Sequence, residues 1–184
     1  PSEPVCYHLT VSLTDLKERN PMIALPITHI KDFMNKLLLT DTFDRFLVSE
    51  ASITTFTTFH IDGQLHREFF DEEKAEDPQV TCRSLVSWGE IRNFCLSVIK
   101  GKRSPISFKL IFQLPAAEMD LLLARAGTSM QQEDIFGVFF NCQFHNDTLT
   151  ITTGTSLRVF TMDRSLDHAW DEMLSEFLRS QELE

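Results

Sequence analysis

Apolar residues recur at helical spacing in four stretches of the chain, and each stretch carries the start or stop signals of a helix. The first predicted helix follows Thr28, which we expect to cap it, and the second follows Ser87. A third is predicted at 115–127, between a proline and a glycine, and an amphipathic fourth at 165–180. These helices alternate with segments of a different period.

The remaining apolar stretches alternate with polar residues or are rich in β-branched and aromatic residues, as strands are. Asp62-Gly63 and Asn146-Asp147 are predicted hairpin turns, and Gly154 is predicted to interrupt a strand or form a bulge. The predicted strands are 22–27, 46–50, 53–61, 64–70, 80–86, 107–114, 135–145, 148–153 and 156–161.

The order of these elements predicts an α+β fold built from two strand–helix–antiparallel-meander units with covering helices. We expect one domain at 22–184, with an internal duplication of 22–79 and 80–162 as one interpretation and the helix 165–180 closing the fold. Residues 1–21 alternate like a strand and are interpreted as an N-terminal extension that could add an edge strand.

Composition narrows the class of protein. The chain has 16 Phe against one Tyr, so we expect an aromatic core with few polar atoms to satisfy. No stretch has the roughly 20 apolar residues of a membrane span, and no secretion leader is evident. Four separated cysteines without a Cys-x-x-Cys pair favour free, buried thiols. We therefore expect a cytoplasmic protein without membrane attachment or cofactor.

The net charge of −10 is distributed unevenly. Residues 71–77 hold five acids and one base, and residues 163–184 hold seven acids and two bases. Residues 87–110, in contrast, hold five basic residues and one acidic residue. The overall charge argues against general affinity for nucleic acid, but a local basic face can still contact phosphate.

Three segments of the chain are similar to a domain-of-unknown-function family of Gram-positive anaerobic bacteria. They are EASITTFTTFHIDG (50–63), IKGKRSPISFK (99–109) and TTGTSLRVFTMDRSLDHAWD (152–171). The likeness covers nearly all of 22–180 and implies no activity, because the family has no assigned function.

A more distant resemblance is to the DNA sliding clamps, whose domains consist of two strand–helix–three-strand units. The segment IFGVFFNCQFHNDTLTITTGTSLRVFTMD (135–163) looks like a clamp meander, and 80–114 resembles the helix-bearing unit. The predicted helices at 115–127 and 165–180 have no clamp counterpart. This resemblance implies association with DNA or with a DNA-processing partner, and a single domain would have to oligomerise to encircle DNA.

Basic residues on the first two predicted helices are the candidates for contact with phosphate or nucleic acid. Such contacts would be independent of base sequence and sensitive to salt. Cations near a helix C-terminus also have a purely structural explanation in the helix dipole. The candidates are Lys31, Lys36, Arg92, Lys100, Lys102 and Arg103.

Other chemistry is less well supported by the sequence. His60 and His66 flank the predicted Asp62-Gly63 turn, but the spacing of a metal site is absent, so we predict no metal. Asp167, Asp171 and Glu172 are expected on a solvated helix face. The catalytic site is unknown, since no nucleophile motif or dinucleotide fingerprint occurs.

We therefore interpret the chain as a non-enzymatic binding or scaffold protein, with nucleic acid or a protein partner as its ligand. Two alternatives stay open. One is an enzyme or small-ligand protein with a pocket between sheet and helices, and the other is a subunit that assembles with copies of itself.

Overall fold

The computed structural model describes residues 23–71, 83–101 and 103–183, and its strands form one antiparallel sheet. The strand order is β1–β6–β5–β4–β2–β3. The strands are β1 (Ala24–Ile27), β2 (Leu47–Thr54), β3 (Thr58–Ile61), β4 (Ser107–Gln113), β5 (Ile135–His145) and β6 (Thr148–Leu157). The predicted extension at 1–21 lies outside the described residues.

Within the described residues, four α-helices accompany the sheet: α1 (Ile30–Leu39), α2 (Trp88–Ile99), α3 (Ala116–Ala126) and α4 (Ser165–Ser180). Short 3₁₀ turns occupy Arg67–Phe69 and Gln132–Asp134. The mixed α+β class predicted from the sequence is confirmed, and the β2–β3 hairpin and the β4–β5–β6 meander belong to the same sheet. The internal duplication stays a prediction. No helix in the described residues is long and apolar enough to cross a membrane.

The core lies on one face of the sheet, because alternate residues of each strand point to the same side. Phe112 of β4 and Phe140 of β5 are buried there and stack with ring centroids 4.8 Å apart. Trp88 of α2 contacts Phe112 at 5.3 Å, and Trp170 of α4 contacts Phe140 at 6.4 Å. The expected phenylalanine-rich core is thus present, with helices covering this face.

The two buried tryptophans also connect elements through their polar atoms. The indole nitrogen of Trp88 donates to the Leu37 carbonyl of α1 at 2.7 Å. The indole nitrogen of Trp170 donates to the Phe139 carbonyl of β5 at 2.8 Å. Each bond satisfies a polar atom that would otherwise be buried without a partner, which is costly. They fix α2 against α1 and α4 against the sheet.

The predicted hairpin at Asp62-Gly63 is wrong. The strand predicted at 53–61 turns earlier, at 55–57, where the Thr55 amide donates to the Thr57 carbonyl and β3 returns along β2. Gly63 instead lies buried under the backbone of β2, and a Cβ there would stand 1.9 Å from the Val48 carbonyl oxygen. This glycine is required for close approach of two backbones and does not form a hairpin.

The strands predicted at 64–70 and 80–86 are also corrected within the described residues. Gln64 forms one isolated bridge with Leu85, after which the chain enters the 3₁₀ turn at Arg67–Phe69. The other bridge joins Leu47 to Ser87. Here the chain satisfies its backbone through single contacts such as Leu65 N–H to the Ser84 carbonyl, so no continuous ladder forms.

Two smaller predictions, for Gly154 and for the residue that caps α1, are wrong. Gly154 does not interrupt its strand, because β6 continues through it. A Cβ at this position would meet no atom within 4 Å, so no close approach requires the glycine. The N-cap of α1 is His29, one residue later than the predicted Thr28. The tight turn at Asn146-Asp147 is confirmed, with φ values of 49° and 57° that match a type I′ hairpin.

The start of α2 combines a cap with an ion pair. The Glu90 carboxylate accepts from the backbone amide of Ser87 at 2.8 Å and from both terminal nitrogens of Arg83 at 2.5 and 2.6 Å. The Arg83 hydrogen bonds lower the pKa of Glu90 from 4.5 to about 2. Glu90 therefore stabilises the folded state mainly in its ionised form.

Replacing Glu90 by Gln is expected to lower the free energy of unfolding at neutral pH by about 1–2 kcal/mol, since a cap and a partly exposed ion pair are lost together. The contribution of Glu90 is present above its unfolded pKa, about 4.5, and disappears as pH falls through its folded value of about 2. Denaturant titrations from pH 7 to pH 2 should show a smaller acid loss in the variant. Glu133→Gln, an exposed acid in the Gln132–Asp134 turn, is the matched control.

Candidate functional site

Most described basic side chains are already engaged within the protein. Arg45 pairs with Glu118, Lys109 with Glu50, Arg125 with Glu172 and Glu176, and Arg164 with Asp167. Arg158 lies over the ring of Phe136. Three exposed cations form no hydrogen bond, ion pair or ring contact with any described residue: Lys31, Lys100 and Arg103.

Two other predicted contact residues serve the fold. The Arg92 guanidinium lies 3.2 Å from an Asp44 carboxylate oxygen, donates to the Thr40 carbonyl and is only 18% exposed. Lys36 donates to the Gln181 carbonyl. Both would have to give up these bonds to reach a ligand. Lys102 lies outside the described residues.

The three unpaired cations line a single groove, which we call the α1–α2 groove. It has a volume of about 620 Å³ and lies between the two helices, the residues that follow α2, and the ends of β4 and β5. Asp147, from the β5–β6 turn, also lines it. Its apolar floor consists of Ile30, Met34, Leu38, Leu39, Leu96, Ile99, Phe108 and Phe144.

The floor is rigid where it meets the sheet. Phe108 and Phe144 are neighbours across β4 and β5, and their rings stack with centroids 5.3 Å apart and an angle of 16°. They are only 4% and 8% exposed, so the groove ends on the core itself. Leu39, in contrast, lines the groove and is 62% exposed. An apolar ligand could therefore contact both the closely packed rings of the floor and the exposed side chain of Leu39.

The two helices run antiparallel along the groove. Near the start of α2, Trp88 contacts the Leu37 carbonyl and Arg92 contacts the Thr40 carbonyl, so this end of α2 lies beside the end of α1. Consequently Lys31, in the first turn of α1, lies at the same end of the groove as Lys100 and Arg103, which follow α2. The cations form one positive end, and the apolar side chains continue away from it.

Carboxylates and hydroxyls are few in the described lining of the groove. Among its described lining residues, the only carboxylate is Asp147 and the only hydroxyl is that of Ser104. The described cysteines, Cys95 and Cys142, are buried, and burial raises the pKa of both thiols, to about 11 for Cys95. In the part of the chain that the structure describes, no three His, Cys, Asp or Glu residues are grouped to hold a metal ion.

A second polar cluster joins α4 to β6. The Thr153 and Thr155 hydroxyls donate to Asp171 and Asp167, respectively, each at 2.6 Å. Asp167 and Asp171 are therefore half-buried against the sheet, which corrects the solvated face expected for them, whereas Glu172 is 70% exposed as predicted. Burial raises the pKa of Asp171, while the Thr153 hydrogen bond opposes this rise. The cluster fastens the helix to the sheet.

Two groups of residues could not be recognised from the sequence: the threonine–aspartate cluster between β6 and α4, and the apolar floor of the α1–α2 groove. Thr153 and Thr155 are two residues apart on a strand, and Asp167 and Asp171 are four residues apart on a helix. Each spacing places both side chains on one face of its element, so the sequence did contain a signal that the two pairs could meet. Met34, Leu38 and Ile99 belong to the apolar stripes that predict α1 and α2, and periodicity alone cannot tell a core contact from a groove floor.

Most of the chain matches one known protein family. A protein family described as "Family of unknown function (DUF5721)" matches residues 36–184. The chain belongs to DUF5721. The DUF5721 match begins within α1, so it includes β2 to β6 and all of α2, α3 and α4. Lys100 and Arg103 lie inside the DUF5721 region, whereas Lys31 and β1 precede it. No curated protein and no solved structure matches the chain.

Proposed function

We propose that this protein is a non-enzymatic binding protein and that the α1–α2 groove is its binding site for a negatively charged partner. The observation that carries the proposal is that Lys31, Lys100 and Arg103, three cations without a partner among the described residues, line the same groove. In a chain of net charge −10, three unpaired cations at one site concentrate the attraction for anions there.

Nucleic acid is the anionic partner that the sequence predicts, and a clamp-like association with DNA stays a prediction. Three cations can contact three phosphates independently of base sequence. Affinity would then fall about 20- to 40-fold between about 50 and about 200 mM salt. The net charge of the protein opposes a longer phosphate track.

The test measures binding of two labelled anionic probes, a DNA oligonucleotide (single-stranded and duplex) and dodecyl phosphate, at low and moderate salt. The protein is expected to bind at least one of them with salt-dependent affinity. The rim variant Lys31→Ala/Lys100→Ala/Arg103→Ala is expected to lose that binding. The matched control, Lys109→Ala/Arg158→Ala/Arg164→Ala, changes the net charge equally but lies outside the groove and should bind like the parent.

Two results would contradict this function. One is that the parent protein binds neither probe at low salt. The other is that the rim variant binds as tightly as the parent, which would show that the three cations are not the binding groups. Circular dichroism of each variant establishes that the fold is intact, which is expected because these side chains are exposed.

A further inference from the structure

We infer that the ligand of the α1–α2 groove is an anionic amphiphile, that is, a carboxylate or phosphate monoester attached to an alkyl chain. This inference rests on the proposed function, since it names the ligand class of the same groove. It depends on how charge and apolar surface are arranged relative to each other, and not only on the presence of the cations.

The charged part of the ligand is assigned to the positive end of the groove. Lys31, Lys100 and Arg103 converge there from two directions, the first turn of α1 and the residues after α2. Lysine and arginine side chains make charge-assisted hydrogen bonds to carboxylate or phosphate oxygens, and these bonds are stronger than neutral ones. Asp147, which also lines the groove, is the one described lining residue whose charge would repel an anionic headgroup.

The apolar part of the ligand is assigned to the floor. Ile30, Met34 and Leu38 are spaced four residues apart on α1, which gives a continuous apolar stripe about 12 Å long. Leu96 and Ile99 continue the floor on α2. The volume of about 620 Å³ is in the range of ordinary small-ligand sites. Asn35 is the polar side chain of α1 that lines the groove beside this stripe. One charged end followed by an apolar stripe matches a headgroup followed by a chain.

The same arrangement disfavours nucleic acid and a membrane surface. Single-stranded nucleic acid stacks its bases on accessible aromatic rings, but the groove rings of Phe108 and Phe144 are almost completely buried. A duplex needs a longer row of cations than the three found here, and the net charge of −10 opposes it. A bilayer would need the apolar side chains to project outward, whereas here most of the floor lies recessed between helices. A single alkyl chain that enters the groove from solvent requires neither exposed aromatic rings nor apolar side chains that project outward.

The experiment compares alkyl phosphates and alkyl carboxylates of increasing chain length, below their micelle concentrations, by calorimetry. Affinity is expected to rise about two- to fourfold with each added methylene until the floor is filled. Methyl phosphate should bind weakly, and dodecanol, which lacks the charge, should bind less than dodecyl phosphate. Vesicles of anionic phospholipid should bind less well than the free amphiphile at equal headgroup concentration.

Floor variants separate this inference from the proposed function. Met34→Ser is expected to weaken dodecyl phosphate binding about tenfold or more while leaving methyl phosphate binding unchanged. If Met34→Ser does not fold, Leu39→Ser supplies the same comparison at an exposed position. Binding that ignores chain length, or that floor variants leave intact, overturns the amphiphile. Tighter binding of oligonucleotide or of vesicles overturns it as well. None of these results by itself contradicts the proposed function. With any of them, that function fails only if the rim variant also binds as tightly as the parent protein.

Discussion

Phe140→Ala is expected to lower the free energy of unfolding by about 3–5 kcal/mol, a large part of the stability of a domain of this size. Phe140 is fully buried at the centre of the aromatic core. Its ring lies 4.8 Å from Phe112 and 4.9 Å from Phe46, between centroids, and Trp170 approaches from the opposite layer at 6.4 Å. Truncation would leave a cavity that these rings cannot fill without leaving their rotamers.

Chemical denaturation monitored by tryptophan fluorescence measures this loss, because Trp170 adjoins the cavity. Phe160→Ala is the matched control: the same chemical change at a side chain that is 95% exposed should alter stability by no more than about 0.5 kcal/mol. Equal effects of the two substitutions would contradict the placement of Phe140 at the centre of the core.

Gly63→Ala is expected to cost about 2–5 kcal/mol or to prevent folding. Gly63 has a φ of +72°, a conformation that disfavours side chains by about 1–2 kcal/mol. In addition, the new Cβ would overlap the Val48 carbonyl oxygen, at 1.9 Å, and this atom belongs to the backbone of β2 and cannot rotate away. Relieving the overlap requires a backbone shift that costs about 1–3 kcal/mol more.

Gly127→Ala separates the two contributions. Gly127 ends α3 with a φ of +60°, but a Cβ there would meet no atom within 4 Å. It should therefore show the conformational cost alone. Unfolding free energies of both variants, measured by the same denaturant titration, would contradict the close approach of Gly63 to β2 if Gly63→Ala were no more destabilising than Gly127→Ala.

The sequence predicted those elements whose signals are local. The helix 165–180 has its predicted limits because its apolar stripe is continuous, and the helix after Pro115 ends where Gly127 allows it. The Asp62-Gly63 pair misled because the same dipeptide serves a hairpin turn or a close backbone approach. Only the position of β2 decides between them, and that position depends on residues distant in sequence.

The candidate site was predicted in part for a related reason. Lys31, Lys100 and Arg103 were chosen for their charge, and the structure brings them together. Arg92 was chosen on the same evidence, yet Asp44 engages it, and neither periodicity nor charge counts reveal such a pairing. The groove itself arises from the spacing between two helices and the strand ends beneath them, which no single segment encodes.

The position of β1 has a consequence for how the chain folds. β1 pairs only with β6 in the described sheet, so Ile27 must meet Leu149 across most of the sequence. The β5–β6 hairpin closes through a two-residue turn and can form within microseconds, whereas a distant pairing must first overcome a large loss of chain entropy. β1 should therefore join the sheet late, and until it does, the outer edge of β6 is an open template for another strand.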